Sequence, residues 1–232
     1  MWAYRKVDRS QKVAIKIKSK KKLGKDFDLL RDEVDNLNIL DHPYIVKYFE
    51  TYDTKKDVYL VMRYVDGVNL ESKIEVNTLE REYGERTTAT YMEQILKAVS
   101  HIHTHNIIHR DLNPRNIMIT KDNDVRIIDF SQSANQNDKK VSKFAGELLY
   151  TAPEVFEGKT TVQSDMWSLG VVLYYVISGY LPFEEATQAL TKEKIMKNEY
   201  EWRSPEFDNV SDECKDLISK LLTKNPKNRL TA

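Results

Sequence analysis

Asp111 and Asn116 are the residues of this chain whose types and spacing first suggest chemistry. They lie five residues apart in the segment 109–116, which reads His-Arg-Asp-Leu-Asn-Pro-Arg-Asn. The carboxylate of Asp111 can orient a hydroxyl group and accept its proton, and the side-chain oxygen of Asn116 can bind Mg²⁺. A second carboxylate, Asp129, follows Asn116 by thirteen residues, at the end of a short apolar stretch. These residues suit a reaction that needs both a proton acceptor and oxygen ligands for a hard cation.

The composition indicates a globular protein and excludes several other classes. Of 232 residues, 41% are apolar and 10% aromatic, which is not typical of disorder. Lys plus Arg (36) equals Asp plus Glu (36), so the bulk charge favours neither nucleic acid nor a membrane surface as a partner. The single cysteine, Cys214, excludes an internal disulfide framework and fits a reducing compartment. No apolar run approaches about 18 residues, and Met1 to Lys6 lack a signal-peptide core. We therefore expect a soluble, cytoplasmic or nuclear protein.

The hydrophobic pattern of the first third predicts strands joined to one helix. Period-two alternation and apolar spacing predict strands at 12–18, 45–51 and 58–64, and a helix at 26–40. The helix is expected to end before Pro43, because the residue before a proline avoids the α region. Lys16 lies in the first strand and Glu33 in the helix. Taken singly, each is typical of a solvent-facing position.

The rest of the chain is predicted to be mainly helical. The pattern predicts helices at 88–105, 164–177, 193–197 and 211–222, and short strands at 117–120 and 125–128. The polar stretch 132–144 is interpreted as a mobile loop. His101, His103 and His105 suggest zinc, but residues two apart on a helix do not share a face, so we interpret them as the end of a helix.

Several short motifs resemble those of the protein kinase superfamily in their order and spacing. These motifs are, in chain order, Lys16, Glu33, the segment 109–116, Asp129, Ala152-Pro153-Glu154, Asp165 to Gly170, and Arg229. Within that superfamily, Asn209-Val210-Ser211 and Lys215 to Ile218 are most similar to calcium/calmodulin-dependent and calcium-dependent Ser/Thr kinases. The resemblance implies an α+β, bilobal fold. It comprises a small antiparallel-sheet N-lobe over 1–65, which is incomplete, and a larger, mainly helical C-lobe over 66–232.

The resemblance implies a protein Ser/Thr kinase that transfers the γ-phosphoryl of ATP, with Mg²⁺, to hydroxyls of protein substrates. Asp111 would orient the acceptor, and Asn116 and Asp129 would hold Mg²⁺. Lys16, paired with Glu33, would position the α- and β-phosphates. The remaining implied ATP-binding residues, around the base, are Ala14, Met62, Tyr64 and Met118. A regulatory domain or calcium sensor outside this span is a further implied partner.

Three further contacts follow from the same resemblance. Asp165 is expected to bond the backbone of the segment 109–116, although it could instead be a simple helix cap. Arg229 is expected to pair with Glu154. Ser142, near the usual activation-loop phosphosite, could pair with Arg110 when phosphorylated, although most loop serines are simply solvated.

The chain also departs from the family pattern, most clearly in its glycines. Its seven glycines are never closer than nine residues apart, so no Gly-x-Gly-x-x-Gly phosphate loop exists. The family's last helix is missing as well, and we interpret both ends as signs of a fragment, with an evolved loss as the alternative. A pseudokinase that serves as a binding module is therefore the second reading. Small-molecule phosphotransferases share the Asp-to-Asn loop but lack the later motifs.

A second group of departures lies around Asp111. Asn113 stands where Ser/Thr kinases usually carry Lys, and Glu147 stands where a Thr normally bonds the catalytic Asp. Arg115 stands where Tyr kinases place an Arg, and its guanidinium could supply the missing positive charge. We therefore assign Asn113 and Arg115 to the catalytic set and hypothesise that they form one rewired cluster with Glu147. Because Asn69 and Arg115 replace residues that are often acidic in Arg-preferring kinases, we expect no strong preference for Arg three residues before the acceptor.

Overall fold

The computed structural model describes residues 2–4, 12–24, 27–80, 84–138 and 145–232. Its strands are β1 (Trp2–Tyr4), β2 (Lys12–Ser19), β3 (Tyr48–Asp53), β4 (Asp57–Arg63), β5 (Gly67–Asn69), β6 (Ile107–Ile108), β7 (Ile117–Thr120), β8 (Val125–Ile127) and β9 (Ala134–Asn135). Its α-helices are α1 (Lys20–Leu23), α2 (Phe27–Ile39), α3 (Leu70–Glu80), α4 (Glu85–Thr104), α5 (Val162–Ser178), α6 (Gln188–Lys197) and α7 (Asp212–Leu221). The fold is a mixed α+β arrangement in which an antiparallel sheet comes first and helices dominate afterwards.

The first sheet and helix α2 form the part of the fold that carries Lys16 and Glu33. Four antiparallel strands pair in the order β1-β2-β4-β3, and Lys16 lies opposite Leu60. Helix α2 buries Leu30, Glu33 and Leu37, which share one face because they are three and seven residues apart. A glutamate on this buried face requires a partner for its charge. The predicted strand at 12–18 is confirmed, and the predicted helix at 26–40 is confirmed over 27–39, with Asp26 outside the described residues.

The predicted strand at 45–51 is wrong in its first three residues. Strand β3 begins only at Tyr48, whereas Ile45 forms a parallel bridge with Ile127. The amide of Val46 likewise donates to the carbonyl of Ile127 at 2.9 Å. Ile45 and Val46 are buried by this contact with β8, so their apolar character reflects packing between the two parts of the chain and not a longer β3.

The helical part is built around α5, which is buried almost along its whole length. The apolar stripes of α4 and α7 both pack against it. Gly170 permits that approach, because a Cβ there would lie 2.8 Å from Leu222 Cδ2 and 2.9 Å from Leu221 Cβ. In the ranges that the structure describes, no helix combines the length and the apolar character needed to span a bilayer.

The two parts of the chain meet near the predicted boundary at residue 66. Strand β4 ends at Arg63, and β5, which pairs with β7, begins at Gly67. One hydrophobic cluster nevertheless includes side chains of α2 and of α4, so the two parts share a core. The sheet and the helical part therefore pack against each other directly.

The predicted mobile loop at 132–144 is ordered in its first part. Ala134 and Asn135 form β9, which pairs with β6, and Ser133 is buried. The hydroxyl of Ser133 accepts a hydrogen bond of 2.9 Å from the side chain of Asn36 on α2. This anchoring explains why polar residues lie in regular structure here. Residues 139–144, including Ser142, lie outside the described residues.

Candidate active site

Lys16 joins two carboxylates that are far apart in the sequence. Its Nζ donates to Glu33 Oε1 at 2.6 Å and to Asp129 Oδ1 at 2.6 Å. Burial alone would lower the pKa of Lys16, but the charges of Glu33 and Asp129 outweigh it and raise the pKa above its ordinary value. The predicted Lys16–Glu33 ion pair is confirmed, and Lys16 remains positively charged at neutral pH.

Asp129 lies two residues after the end of β8 and has an uncommon backbone conformation. Its φ is 58°, a left-handed value that is rare for a residue with a Cβ. The carboxylate accepts from Lys16 and from the amide of Ser131 at 3.1 Å. Burial would raise the pKa of Asp129, but the charge and hydrogen bond of Lys16 lower it to about 2. A fully ionised carboxylate, such as a hard cation requires, is therefore available here.

A cleft of about 420 Å³ opens in front of Lys16, Glu33 and Asp129. Its lining includes all six side chains predicted to bind the cofactor, namely Ala14, Lys16, Glu33, Met62, Tyr64 and Met118. Most of the wall is apolar, whereas Lys16 and Asp129 place a positive and a negative charge together on it. The structure thus brings the predicted set together, while the role of each residue stays a prediction.

Asp111 is held by the two asparagines of its own segment. Asn116 Nδ2 donates to Asp111 Oδ2 at 2.8 Å, and Asn113 Nδ2 donates to Oδ1 at 3.1 Å. Burial raises the pKa of Asp111 above its ordinary value, although the hydrogen bonds from Asn116 and Asn113 partly offset the effect. Because the amide nitrogen of Asn116 faces Asp111, its side-chain oxygen is the atom that can face a cation.

His109 connects the segment of Asp111 to that of Asp129. Its Nδ1 accepts the backbone N–H of Asp111 at 3.3 Å, and its Nε2 lies 3.2 Å from the carbonyl oxygen of Ile128. A carbonyl oxygen can only accept, so the ring proton belongs on Nε2. The buried ring also packs edge-on against Phe130, with centroids 4.8 Å apart. One side chain therefore contacts the backbone of the candidate catalytic residue Asp111 and both neighbours of the candidate metal ligand Asp129.

Asp165, at the start of α5, binds the backbone of the segment 109–116. Its Oδ2 accepts from the amide of His109 and its Oδ1 from the amide of Arg110, both at 2.9 Å. Burial would raise the pKa of Asp165, but the hydrogen bond and charge of His103 outweigh it and lower the pKa. The expected contact between Asp165 and this backbone is confirmed, and the alternative of a simple cap is not needed. Arg110 adopts a left-handed φ of 68° within it.

His103 is a positioning residue that the sequence analysis missed. Its Nε2 lies 2.9 Å from Asp165 Oδ2, and its side chain is only 11% exposed. A signal was present, because His103 lies four residues after Val99 on the buried face of α4. A polar residue on an apolar stripe requires a buried partner.

The other histidines of α4 pack against one another and not around His103. The rings of His101 and His105 lie 4.5 Å apart, and His42 stacks on His101 at 5.1 Å. Among the residues that the structure describes, no group of three His, Cys, Asp or Glu side chains is placed to hold a metal ion. A cation in the cleft would therefore need ligands beyond the carboxylates, such as Asn116.

The hypothesised cluster of Asn113, Arg115 and Glu147 is present as a set of contacts. The guanidinium of Arg115 forms an ion pair with the carboxylate of Glu147. Asn113 is buried, and its Oδ1 accepts the backbone N–H of Arg115 at 2.9 Å. The same asparagine thus holds Asp111 with its amide nitrogen and Arg115 with its amide oxygen. The effect of this cluster on catalysis stays a prediction.

The expected pair of Glu154 and Arg229 is confirmed in bidentate form. Arg229 Nη1 lies 2.7 Å from Glu154 Oε1, and Nη2 lies 3.0 Å from Oε2. Ser164 Oγ also donates to Glu154 Oε1 at 3.0 Å. This contact joins the 3₁₀ turn Pro153–Glu157 to the region that follows α7.

Comparisons with known proteins agree with this geometry. The profile of the protein kinase domain family matches residues 2–232. The chain is 36% identical to calcium/calmodulin-dependent protein kinase type 1 of Caenorhabditis briggsae, over 97% of this chain and 64% of that protein. It is 34% identical to calcium-dependent protein kinase 3 of Plasmodium yoelii yoelii, over 99% of this chain and 43% of that protein.

A third relative comes from a different group of organisms. The chain is 38% identical to a probable myosin light chain kinase of Dictyostelium discoideum, over 88% of this chain and 65% of that protein. The chain therefore spans less than two thirds of the length of these three curated relatives. The profile match, these identities and the arrangement around Lys16, Asp111 and Asp129 agree with one another, and the chain belongs to the protein kinase family.

Proposed function

We propose that this chain is the catalytic region of a protein Ser/Thr kinase, which transfers the γ-phosphoryl of Mg-ATP to protein Ser or Thr hydroxyls. The observation that carries the proposal is the placement of Lys16. Its Nζ lies 2.6 Å from both Glu33 and Asp129 on the wall of one large cleft. This arrangement offers a positive charge for phosphate oxygens beside an ionised carboxylate for a cation.

The residues present fit ATP and Mg²⁺. Apolar side chains such as Ala14, Met62 and Met118 line the cleft and suit an adenine ring. Asn116 and Asp129 offer hard oxygen donors, and Mg²⁺ commonly takes one or two protein ligands together with phosphates and water. When bound, Mg²⁺ would neutralise charge on the phosphate oxygens. Lys16 would hold the α- and β-phosphates beside it.

Asp111 would orient the acceptor hydroxyl and receive its proton. Asn113 and Asn116 each donate to one of its carboxylate oxygens, so the carboxylate has a defined orientation before any substrate binds. Burial raises the pKa of Asp111, which makes it a better proton acceptor than an exposed Asp. Its ionised form is the active one, so transfer should decline as acid protonates it.

A pseudokinase that binds ATP or a protein partner with little turnover is the second candidate. Two sequence observations favour it: the absence of a Gly-x-Gly-x-x-Gly motif in the 232 residues, and Asn113 at the position of the usual Lys. Backbone N–H groups of such a loop would otherwise cover the phosphates. The two candidates predict the same cleft but different turnover.

The deciding experiment measures radiolabelled phosphoryl transfer from ATP to a Ser/Thr peptide library by the intact protein. We expect Mg²⁺-dependent transfer and a loss of about 10²- to 10⁴-fold in Asp111→Asn, since general-base catalysis contributes that much. Calorimetry of ATP binding, with and without Mg²⁺, accompanies it. Mg²⁺-dependent ATP binding without transfer would favour the pseudokinase. The absence of both binding and transfer would refute the kinase and leave only a pseudokinase that binds a protein partner.

The acceptor sequence is proposed to lack a strong requirement for Arg three residues before the hydroxyl. The side chain of Asn69 caps α3 by accepting the amide of Ser72 at 2.8 Å, and Arg115 brings a positive charge. Neither residue offers a free carboxylate to a basic peptide. A peptide-array profile dominated by Arg at that position would contradict this expectation.

Regulation is proposed from the names of the relatives alone. Two relatives are described by name as calcium- or calcium/calmodulin-dependent. By analogy, a calcium sensor or a regulatory domain outside residues 1–232 would control this chain. Transfer by the intact protein should then increase on addition of Ca²⁺ with a calcium sensor, and an unchanged rate would argue against such control. A cytoplasmic or nuclear location is proposed separately, because the single cysteine fits a reducing compartment.

A further inference from the structure

The residues just before Leu148 touch the segment that carries Asp111. Gly146 has a left-handed φ of 82°, and a Cβ added there would lie 2.5 Å from the carbonyl oxygen of Arg110 and 3.0 Å from Asp111 Oδ1. Glycine is therefore required at this position for the backbone to come so close. The backbone at Gly146 consequently forms one wall beside the carboxylate that would receive the acceptor hydroxyl.

The next residue, Glu147, reaches the same segment through its side chain. Its carboxylate forms an ion pair with Arg115, which lies four residues after Asp111. The backbone N–H of Arg115 donates to Asn113 Oδ1, and Asn113 Nδ2 donates to Asp111 Oδ1. A continuous series of contacts therefore runs from Asp111 through Asn113 and Arg115 to Glu147.

Both partners of this ion pair are presented from well-anchored backbone. Arg115 lies in the short 3₁₀ turn Pro114–Asn116, which Asn113 caps. The carbonyl of Glu147 accepts the amide of Tyr150 at 3.1 Å and the hydroxyl of Thr151 at 2.7 Å. The pair thus connects two turns that are each closed by their own hydrogen bonds.

The main competing explanation is a surface ion pair without consequence. Arg115 and Glu147 are 50% and 34% exposed, and such pairs contribute little to global stability. Their effect would therefore be local, on how closely residues 145–150 lie against Asp111. Lys159 and Glu157 form an ion pair in the same stretch of chain, 3.1 Å long, that connects neighbours only two residues apart. This second pair offers a matched control.

We propose that Arg115 and Glu147 form an electrostatic latch, which holds residues 145–150 against Asp111 and so positions the protein acceptor. Arg115 is then a positioning residue whose charge is used by Glu147, and not a ligand of the transferred phosphoryl group. The effect on turnover rests on the proposed kinase activity. The effect on residues 145–150 does not depend on turnover.

The test uses Arg115→Glu, Glu147→Arg, the double charge exchange that combines them, and Glu157→Gln as the control. Hydrogen exchange of the amides in 145–150 is measured in each intact protein, together with Tm and the KM values for ATP and for a peptide acceptor. Exchange reports on the latch directly, and Tm checks that every variant is folded.

We expect each single charge reversal to raise exchange in 145–150 by up to about fivefold, as an exposed ion pair can supply. The KM for the peptide should rise while the KM for ATP stays the same, and the double exchange should restore both readouts. Single variants that exchange no faster than Glu157→Gln would overturn the proposal, as would a double exchange that restores neither readout. If the parent protein transfers no phosphoryl group, the kinase proposal fails, but the exchange measurements still decide the latch.

Discussion

Two of the ion pairs that join distant parts of this chain, Glu154–Arg229 and Lys16–Asp129, differ in whether their charged groups remain accessible to a ligand. The Glu154–Arg229 pair is closed, with side-chain exposures of 6% and 0%. The Lys16–Asp129 pair is open, with exposures of 22% and 38%, and it lies on the wall of the cleft. Similar chemical groups therefore serve in one case to hold the fold and in the other to face a substrate.

The closed pair has used its hydrogen-bonding groups within the protein. Besides Glu154, the guanidinium of Arg229 donates to the carbonyls of Gln163, Thr223 and Lys224, at 2.6 to 3.2 Å. It also lies over the ring of Trp167 at 5.2 Å. A group that is buried and satisfied in this way has nothing left to offer to a ligand.

The charged groups of the open pair, in contrast, are neither fully buried nor fully used in contacts within the protein. Lys16 has two carboxylate partners, yet both it and Asp129 face the cleft. Neither charge is sealed from solvent, so a nucleotide and its cation can compete for them. The comparison indicates that remaining solvent access, and not the presence of an ion pair, separates a binding contact from a structural one.

Removing a partner from the closed pair should produce the largest loss of stability. Arg229→Met leaves the buried carboxylate of Glu154 without its cation, which should lower the free energy of unfolding by about 3–5 kcal/mol. Urea titration measures this, and Lys227→Met, at an exposed position two residues earlier, is the control. A loss no larger than that of the control would show that the closed pair is not structural.

Removing the charge from the open pair should affect activity instead. Asp129→Asn keeps an oxygen that Lys16 can bond but loses the carboxylate charge, so we expect Mg²⁺-dependent transfer to fall by about 10²- to 10³-fold. Stability should change little, because the side chain is 38% exposed. Transfer assays and urea titration are compared with those of Asp122→Asn, an exposed turn residue. A large loss of stability with retained transfer would reverse the comparison.

The pH dependence of stability should show a smaller contribution from the open pair. The pKa of Asp129 in the folded protein is about 2, below its ordinary value of 3.8. The stabilisation is therefore complete above pH 3.8 and is lost as pH falls from 3.8 toward about 2. Because the side chain of Asp129 is partly exposed, solvent screening limits this contribution to the free energy of unfolding to about 1 kcal/mol.

The measurement compares urea unfolding of the wild type and Asp129→Asn between pH 2 and pH 6. The difference between the two proteins should shrink as pH falls from 3.8 toward about 2, because the Asp129 carboxyl binds its proton near pH 3.8 in the unfolded chain and only near pH 2 in the folded protein. A difference that grows as the solution becomes more acidic would contradict the sign of the shift.

The smallest effect is expected where an ion pair is fully open to solvent. Lys97 and Glu93 lie on the outer face of α4 with side-chain exposures of 56% and 64%. Solvent and salt screen such a pair, so Lys97→Ala should leave Tm unchanged within experimental error. A clear decrease in Tm would mean that exposure does not rank these contacts as the comparison assumes.

Regular hydrophobic repeats explain which elements were predictable. Helix α2 and strand β2 each carry one uninterrupted period, and both were predicted within two residues of their observed ends. Helix α3 was missed, because its sequence shows only a weak helical repeat in which Leu70 and Ile74 are buried. Strand β9 was missed because its short, polar sequence pairs with a strand 27 residues away, as the register Ile107↔Asn135 and Ile108↔Ala134 indicates. Such pairing leaves no local pattern.

The sequence by itself determined which residue types are available at the site, because motif order and spacing identified Lys16, Asp111 and Asp129. Only the tertiary structure decided which of them meet. Lys16 reaches Glu33 across 17 residues and Asp129 across 113, and these contacts depend on how α2 and β8 pack against the sheet. The burial of His103 against Asp165 was decided in the same way. Charge and hydrogen-bonding capacity are properties of single residues, whereas distance and solvent access belong to the packed chain.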